Sequence, residues 1–382
     1  MKPSGPHGHP ARPSGTVGMP SRAAILGATV AATDTTALAS EYETLTERCG
    51  LLDRSERGKL ALSGAGAVEF LGGQVTNELI GLDPGEGCYA AFLTHKGKML
   101  GDLRILAVAA PEGEPSPPGV RPVEGDWGAD QPRELLLDTE RGALQALFDM
   151  IRRFKVGYEV ELHKRTLERS LLSLIGPHAD QVAAKTFGLD QASGRSPADL
   201  PEQEDAHVLV SFDQLPARLI RTDMGIDVLL DSAATDIVRD ALERAGAVEV
   251  SEAAAEIVRV EHGRPRYGID LDERTIPQEA GLNERGVSFT KGCYVGQETV
   301  ARLYYKGKPN RHLRGLRLSG PVEPGADLRL GDRSVGRLSS SVLSPALGPI
   351  GLALVRREAE PGATLAVGES DTSATVTELP FR

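Results

Sequence analysis

The chain has 382 residues, room for two or three domains, and its 40% hydrophobic and 25% charged residues describe a globular protein able to bury a sizeable core. No apolar run of about 18 residues is present, so the sequence offers no membrane-spanning helix. A net charge of −11 disfavours a globally basic nucleic-acid binder, and three cysteines without CxxC spacing (Cys49, Cys88, Cys293) exclude a disulfide scaffold or zinc ribbon and fit a reducing, cytoplasmic setting.

Residues 1–37 read as a flexible Pro/Gly/Ser tail, whose His7 and His9 are not expected to bind metal. The apolar stretch Ala23 to Ala32 is weak and starts late, which argues against a signal peptide. A helix is predicted from Ala39 to Cys49, stopped by Gly50, and a strand from Lys59 to Ser63. VEFLGGQV, from Val68, reads as a short helix broken near Gly72 and Gly73. Strands from Cys88 and Met99 flank a turn at His95 to Gly97, and a long Pro/Gly-rich surface loop fills the stretch from Pro111 to Pro132. Strand ELLLD, a helix from Gly142 to Arg153 and a strand from Tyr158 close a first α+β unit, residues 38–165.

A second α+β unit, residues 166–290, reads as strand, helix from His178, polar linker from Gly188 to Asp205, three strands, and helices from Ser232 and Glu252. After Arg311 the chain becomes short alternating runs separated by Gly and Pro. That pattern predicts an antiparallel, barrel-like end within residues 291–382. The fold class is α+β, not a doubly wound βαβ fold.

The stretch KGCYVGQE is where chemistry is expected first. Cys293 lies between Gly292 and Tyr294, just before a helix predicted from Gln297. Gly292 and Gly296 permit a tight turn, and Lys291 with the helix N-terminus would favour a thiolate. Such a sulfur suits a nucleophile, a persulfide carrier or a soft-metal contact; a small cysteine packing the helix start is the plainer alternative. Six basic residues and no acid run from Arg302 to Arg317, with Tyr304 and Tyr305 among them. They could hold a polyanion or form a solvated hairpin. Arg259 and Glu261 fall on a helix about 200° apart and are not expected to pair. No Walker loop, GxGxxG or HExxH is present.

KGCYVGQE resembles the signature of the YgfZ family of folate-binding proteins, relatives of the glycine-cleavage aminomethyltransferase, or T-protein. Phe70 to Leu106 and Arg259 to Asp270 resemble segments of the same families, so the resemblance covers roughly residues 38–360. It implies three domains around a central, folate-sized hole. It also implies a monomeric accessory factor that binds tetrahydrofolate or a one-carbon derivative and aids iron–sulfur cluster assembly or repair. Client proteins would carry clusters, and tRNA modification would benefit indirectly, without membrane or direct nucleic-acid binding. On that resemblance Cys293 is the functional thiol tuned by Lys291, and Gln297 and Glu298 orient neighbours or ligand. Asp102, Tyr89, Arg259, Glu261 and Arg302 line the folate, and no metal site is expected.

Two departures bear on activity. T-proteins carry an adjacent aspartate pair where this chain has Gly101 and Asp102, and a Gly-Tyr-Thr-Gly-Glu stretch where it has RTDMGIDVLL, leaving Asp223 as a possible substitute for the pterin-binding glutamate. A folate-dependent aminomethyl- or methyltransferase with Asp102 as acid/base is therefore the second reading, and an RNA-binding module using the basic run is the third.

Overall fold

The computed structural model describes residues 35–109, 134–189, 200–369 and 371–381. The tail before residue 35, the loop from Pro111 to Pro132 and residues 190–199 of the expected linker lie outside the described residues. Helix α1 (Thr35–Glu47) takes in the last residues assigned by sequence to the tail, and is followed by β1 (Gly50–Asp53), β2 (Gly58–Ser63) and α2 (Ala67–Gly72). Then come β3 (Gly87–Leu93), β4 (Met99–Val108), β5 (Glu134–Thr139), α3 (Leu144–Phe154) and β6 (Glu161–Lys164), the last starting three residues later than its sequence suggests.

Strands β2 to β6 form an antiparallel sheet in the order β3-β4-β5-β2-β6. One face is apolar. Leu103, Ile105 and Ala107 of β4 pack there against Phe70 and Leu71 of α2 and against Leu147, Met150 and Ile151 of α3. The three α3 positions recur at i, i+3 and i+4, which is why one stripe of that helix faces the sheet. The opposite face of β4 carries Asp102 and Arg104, both buried.

The second sheet has the order β11-β1-β7-β10-β9-β8, using β7 (Arg169–Ile175), β8 (His207–Phe212), β9 (Leu215–Thr222), β10 (Gly225–Asp231) and β11 (Val248–Glu249). Helices α4 (Ala179–Thr186) and α5 (Thr235–Ala245) cover it. Strand β1 belongs to this sheet, antiparallel to β7 and parallel to β11, so the chain enters the second unit before it builds the first. The two sheets are joined through Arg104, which donates to Asp138 of β5 and to Asp227 of β10, each at 2.8 Å.

Helix α6 (Glu252–Glu261), the short α7 (Asn283–Gly286) and α8 (Gln297–Lys306) lead to a closed antiparallel barrel in the order β12-β15-β14-β13-β16-β17. Its strands are β12 (Arg311–Leu318), β13 (Asp327–Leu330), β14 (Arg333–Ser344), β15 (Gly348–Arg356), β16 (Thr364–Val367) and β17 (Ser373–Thr377). Closure by β12 against β17 removes the unpaired edges an open sheet would leave. The signature segment packs elsewhere: Tyr294 and Val300 share a core with Leu93 and Met99 of the first sheet. No helix among the described residues is long and apolar enough to cross a membrane.

Candidate functional site

The polar face of the first sheet is ordered by strand register. Lys59, Asp138, Arg104 and Tyr89 are successive cross-strand partners on β2, β5, β4 and β3. Asp102 lies two residues from Arg104 on the same face, so Tyr89 and Asp102 are diagonal neighbours within reach of a long side chain. The Tyr89 hydroxyl donates to Asp102 Oδ2 at 2.7 Å. The Arg285 guanidinium of α7 stands 4.2 Å from the centroid of the Tyr89 ring.

Around this pair runs a chain of alternating charges. Arg57 is bonded to Asp138 and Glu140, and Arg266 to Glu252. Arg285 is bonded to Glu204, which lies 3.5 Å from Arg264, and Arg264 pairs with Asp223 at 2.6 Å. A cleft of about 600 Å³ opens beside Asp223 and Arg264, bounded also by Glu261, His262, Leu347 and Phe381. That is the size of a small-ligand site.

Glu140, Glu204 and Asp223 each face an arginine, whereas the partner of Asp102 is a neutral phenol. Burial pushes the Asp102 carboxyl up to about 6 and Glu140 adds to the rise, against the Tyr89 hydrogen bond and the cations Arg57 and Arg285. Burial, with Asp102 beside it, holds the Tyr89 hydroxyl well above its ordinary value. A carboxyl poised near neutrality can take or return a proton at an adjacent ligand nitrogen.

A family model of the GCVT N-terminal domain matches residues 21–112, and one of the glycine cleavage T-protein C-terminal barrel domain matches residues 311–382. The chain is thus similar to T-proteins over both of these segments. The aminomethyltransferase of Rubrobacter xylanophilus is 29% identical over 350 residues, covering 90% of this chain and 85% of the relative. A chloroplastic protein of Arabidopsis thaliana named as a transferase is 28% identical over 341 residues, 87% of this chain and 71% of that one. The glycine cleavage system aminomethyltransferase T of Bartonella henselae superposes with a TM-score of 0.75 at 22% identity, over 90% of this chain and 89% of that one, which shows the shared α+β fold.

The structure shows what stands at each of the two departures. A Cβ on Gly101 would sit 2.5 Å from the Phe92 ring and 2.7 Å from the Cβ of Ala143, so the aspartate pair has no room for its first member. The RTDMGI segment is a two-residue hairpin in which Thr222 pairs with Gly225, and Asp223 at its tip is spent on Arg264.

The other expected site residues are dispersed. Arg259 is buried and donates to Glu256, Asp270 at 2.8 Å, Ser340 at 2.7 Å and the Arg264 carbonyl; it joins α6 to the barrel. Glu261 accepts from Tyr42 and Ser344, and although it borders the cleft its carboxylate serves that junction. Among the described residues no hydrogen bond or ion pair links Arg259, Glu261 or the exposed Arg302 to Asp102 or Tyr89. The basic run does not form one patch. Arg311 pairs with Glu279, Arg314 with Glu378, and Arg317 lies over Phe381, leaving Arg302, Lys306 and Lys308 exposed beside Tyr304 and Tyr305.

Cys293 is exposed in the loop before α8. Gly296 turns that loop in the left-handed region (φ +87), where an added Cβ would lie 2.6 Å from the Thr94 carbonyl; Gly292 has open space around it and meets no such demand. Gln297 reaches back to the Gly292 carbonyl at 3.4 Å, Glu298 is exposed, and Tyr294 is core. Lys291 does not serve the thiol as expected: its ammonium is bonded to three backbone carbonyls instead. Sequence reasoning missed Lys59, Arg104, Asp138, Glu204 and Arg285. For Arg104 a signal existed, since charges two apart in the otherwise apolar MLGDLRILAV place Asp102 and Arg104 on one face of a strand.

Proposed function

We propose that this protein binds tetrahydrofolate, or a one-carbon derivative, beside Asp102 and acts as a cytoplasmic, monomeric accessory factor in iron–sulfur cluster assembly or repair. Cys293 is its functional thiol, its clients are cluster proteins, and tRNA modification is supported indirectly. The observation that carries the folate part is the Asp102–Tyr89 pair: a buried carboxyl to which no cation is bonded among the described residues, suited to the ring N–H donors of a pterin. The residues present fit such a ligand. Arg285 Nε is buried without a hydrogen-bond partner and can serve a ring carbonyl. Relatives named aminomethyltransferase support the same ligand class. The role of Cys293 is supported by its exposure and by the KGCYVGQE resemblance.

Calorimetric titration with tetrahydrofolate and 5-formyl-tetrahydrofolate tests the ligand. Binding is expected in the wild type and in Cys293→Ala, and about tenfold weaker or worse in Asp102→Asn, which loses a charge-assisted hydrogen bond. A wild type that binds neither folate refutes the reading. Cys293→Ala should fail to restore cluster-dependent enzymes in a strain lacking the protein; full restoration removes the accessory role.

A second reading, aminomethyl transfer, is favoured by the near-neutral Asp102 carboxyl, which can hold a proton at the folate nitrogen as a methylene group moves. Turnover of a methylamine donor with tetrahydrofolate, lost in Asp102→Asn, would establish it. RNA binding is the weakest reading, because ion pairs break up the basic run.

A further inference from the structure

The ammonium of Lys291 lies where the signature loop crosses the end of α2. It donates to the carbonyl oxygens of Gly72 at 2.7 Å, Val75 at 2.9 Å and Asn77 at 2.6 Å. Three donors meet three acceptors, so the ammonium is fully used. Gly72 ends α2, where outward-facing carbonyls lack helical partners and a cation is favoured.

Residue 77 carries this clamp to the site. Asn77 Nδ2 donates to the Tyr89 carbonyl at 2.9 Å and to the Arg285 carbonyl at 3.3 Å. Both residues act on Asp102: Tyr89 through its hydroxyl, Arg285 through the guanidinium over the Tyr89 ring. We propose that Lys291 is a positioning residue, which fixes the 72–77 backbone so that Asn77 holds Tyr89 and Arg285 in register against Asp102, and that it does not act on Cys293. The consequence for folate rests on the reading above; the geometry does not.

Removing the ammonium leaves three carbonyls without their donor, and the segment must relax to find others. Tyr89 and Arg285 then lose their common tether. The groups facing Asp102 are Tyr89 from β3, Arg57 from the turn before β2, Glu140 from the turn after β5, Arg285 from α7 and Tyr267. Tyr89, Arg57 and Arg285 favour the carboxylate; burial and Glu140 oppose it. Loosening Tyr89 and Arg285 therefore raises the midpoint at which Asp102 ionises.

The experiment is a carbon-13 carboxyl NMR titration of the full chain, with the Asp102 signal assigned by its loss in Asp102→Asn. Wild type, Lys291→Met and Asn77→Ala are compared, and each is also melted. The expected result is an Asp102 midpoint about 0.5 to 1 pH unit higher in both variants, the scale of a weakened hydrogen bond and a more distant cation. Asn77→Ala keeps the Lys291 clamp and cuts the relay, together with the bond from the Glu78 amide to Asn77 Oδ1 at 2.9 Å, so it decides the matter if Lys291→Met does not fold. An unchanged midpoint in Asn77→Ala overturns the proposal whatever the melting temperatures do, because a purely structural clamp lowers stability without moving this titration. Folate binding is measured separately: a wild type that fails to bind it defeats the folate reading and leaves the titration result standing.

Discussion

Replacing Asp102 by asparagine should stabilise the protein at neutral pH. In the folded chain the carboxyl keeps its proton up to about 6, against an ordinary value of 3.8. The folded state therefore binds that proton more tightly than the unfolded chain does. Below about pH 3 the group is largely neutral in both states and carries almost no penalty. As pH rises from there to about 6 the unfolded chain ionises first and stability is lost; above that window the whole penalty applies. A rise of about two pH units is worth about 3 kcal/mol, and because Asp102 is 6% exposed little of this is screened by solvent. Asparagine removes the ionisation and keeps an acceptor for the Tyr89 hydroxyl. Urea unfolding followed by circular dichroism at about pH 3 and about pH 7.5 measures the effect. The stability of Asp102→Asn relative to wild type should rise by about 3 kcal/mol between those conditions. A difference that does not change with pH would refute the reasoning, since it would mean the carboxyl titrates normally where it stands.

Arg259→Met should cost about 3–5 kcal/mol in the same unfolding assay, because it strands Asp270, whose side chain is fully buried, without its cation. A loss under about 1 kcal/mol would return Arg259 to the list of candidate ligand contacts. Gly101→Ala should cost about 1–3 kcal/mol through overpacking against Phe92 and Ala143, and a neutral result would show that the aspartate pair is absent for some reason other than space. Cys293→Ala should leave stability within about 0.5 kcal/mol, since the side chain is exposed; a larger loss would give the thiol a packing role.

Most elements of the fold are legible in local sequence. Alternating runs between glycines announce the barrel strands, the i, i+3, i+4 stripe of α3 announces a helix lying on a sheet, and Gly296 marks a turn that only glycine makes easily. These are properties of neighbouring residues, so a short window of sequence contains them. The membership of β1 in the second sheet is not such a property, because its partners β7 and β11 lie more than a hundred residues away. The site follows the same division. KGCYVGQE and Asp102 could be singled out by pattern and resemblance, but their neighbours could not. Lys291 stands two residues from Cys293 in the chain, yet its ammonium finds the carbonyls of Gly72, Val75 and Asn77. Arg259 looks like a ligand contact until Asp270 and Ser340 surround it. Sequence alone settled which residue types and which local conformations are present. Only the tertiary structure decided which charge meets which, because pairing energies depend on distance and burial, and both are set by segments that are remote along the chain.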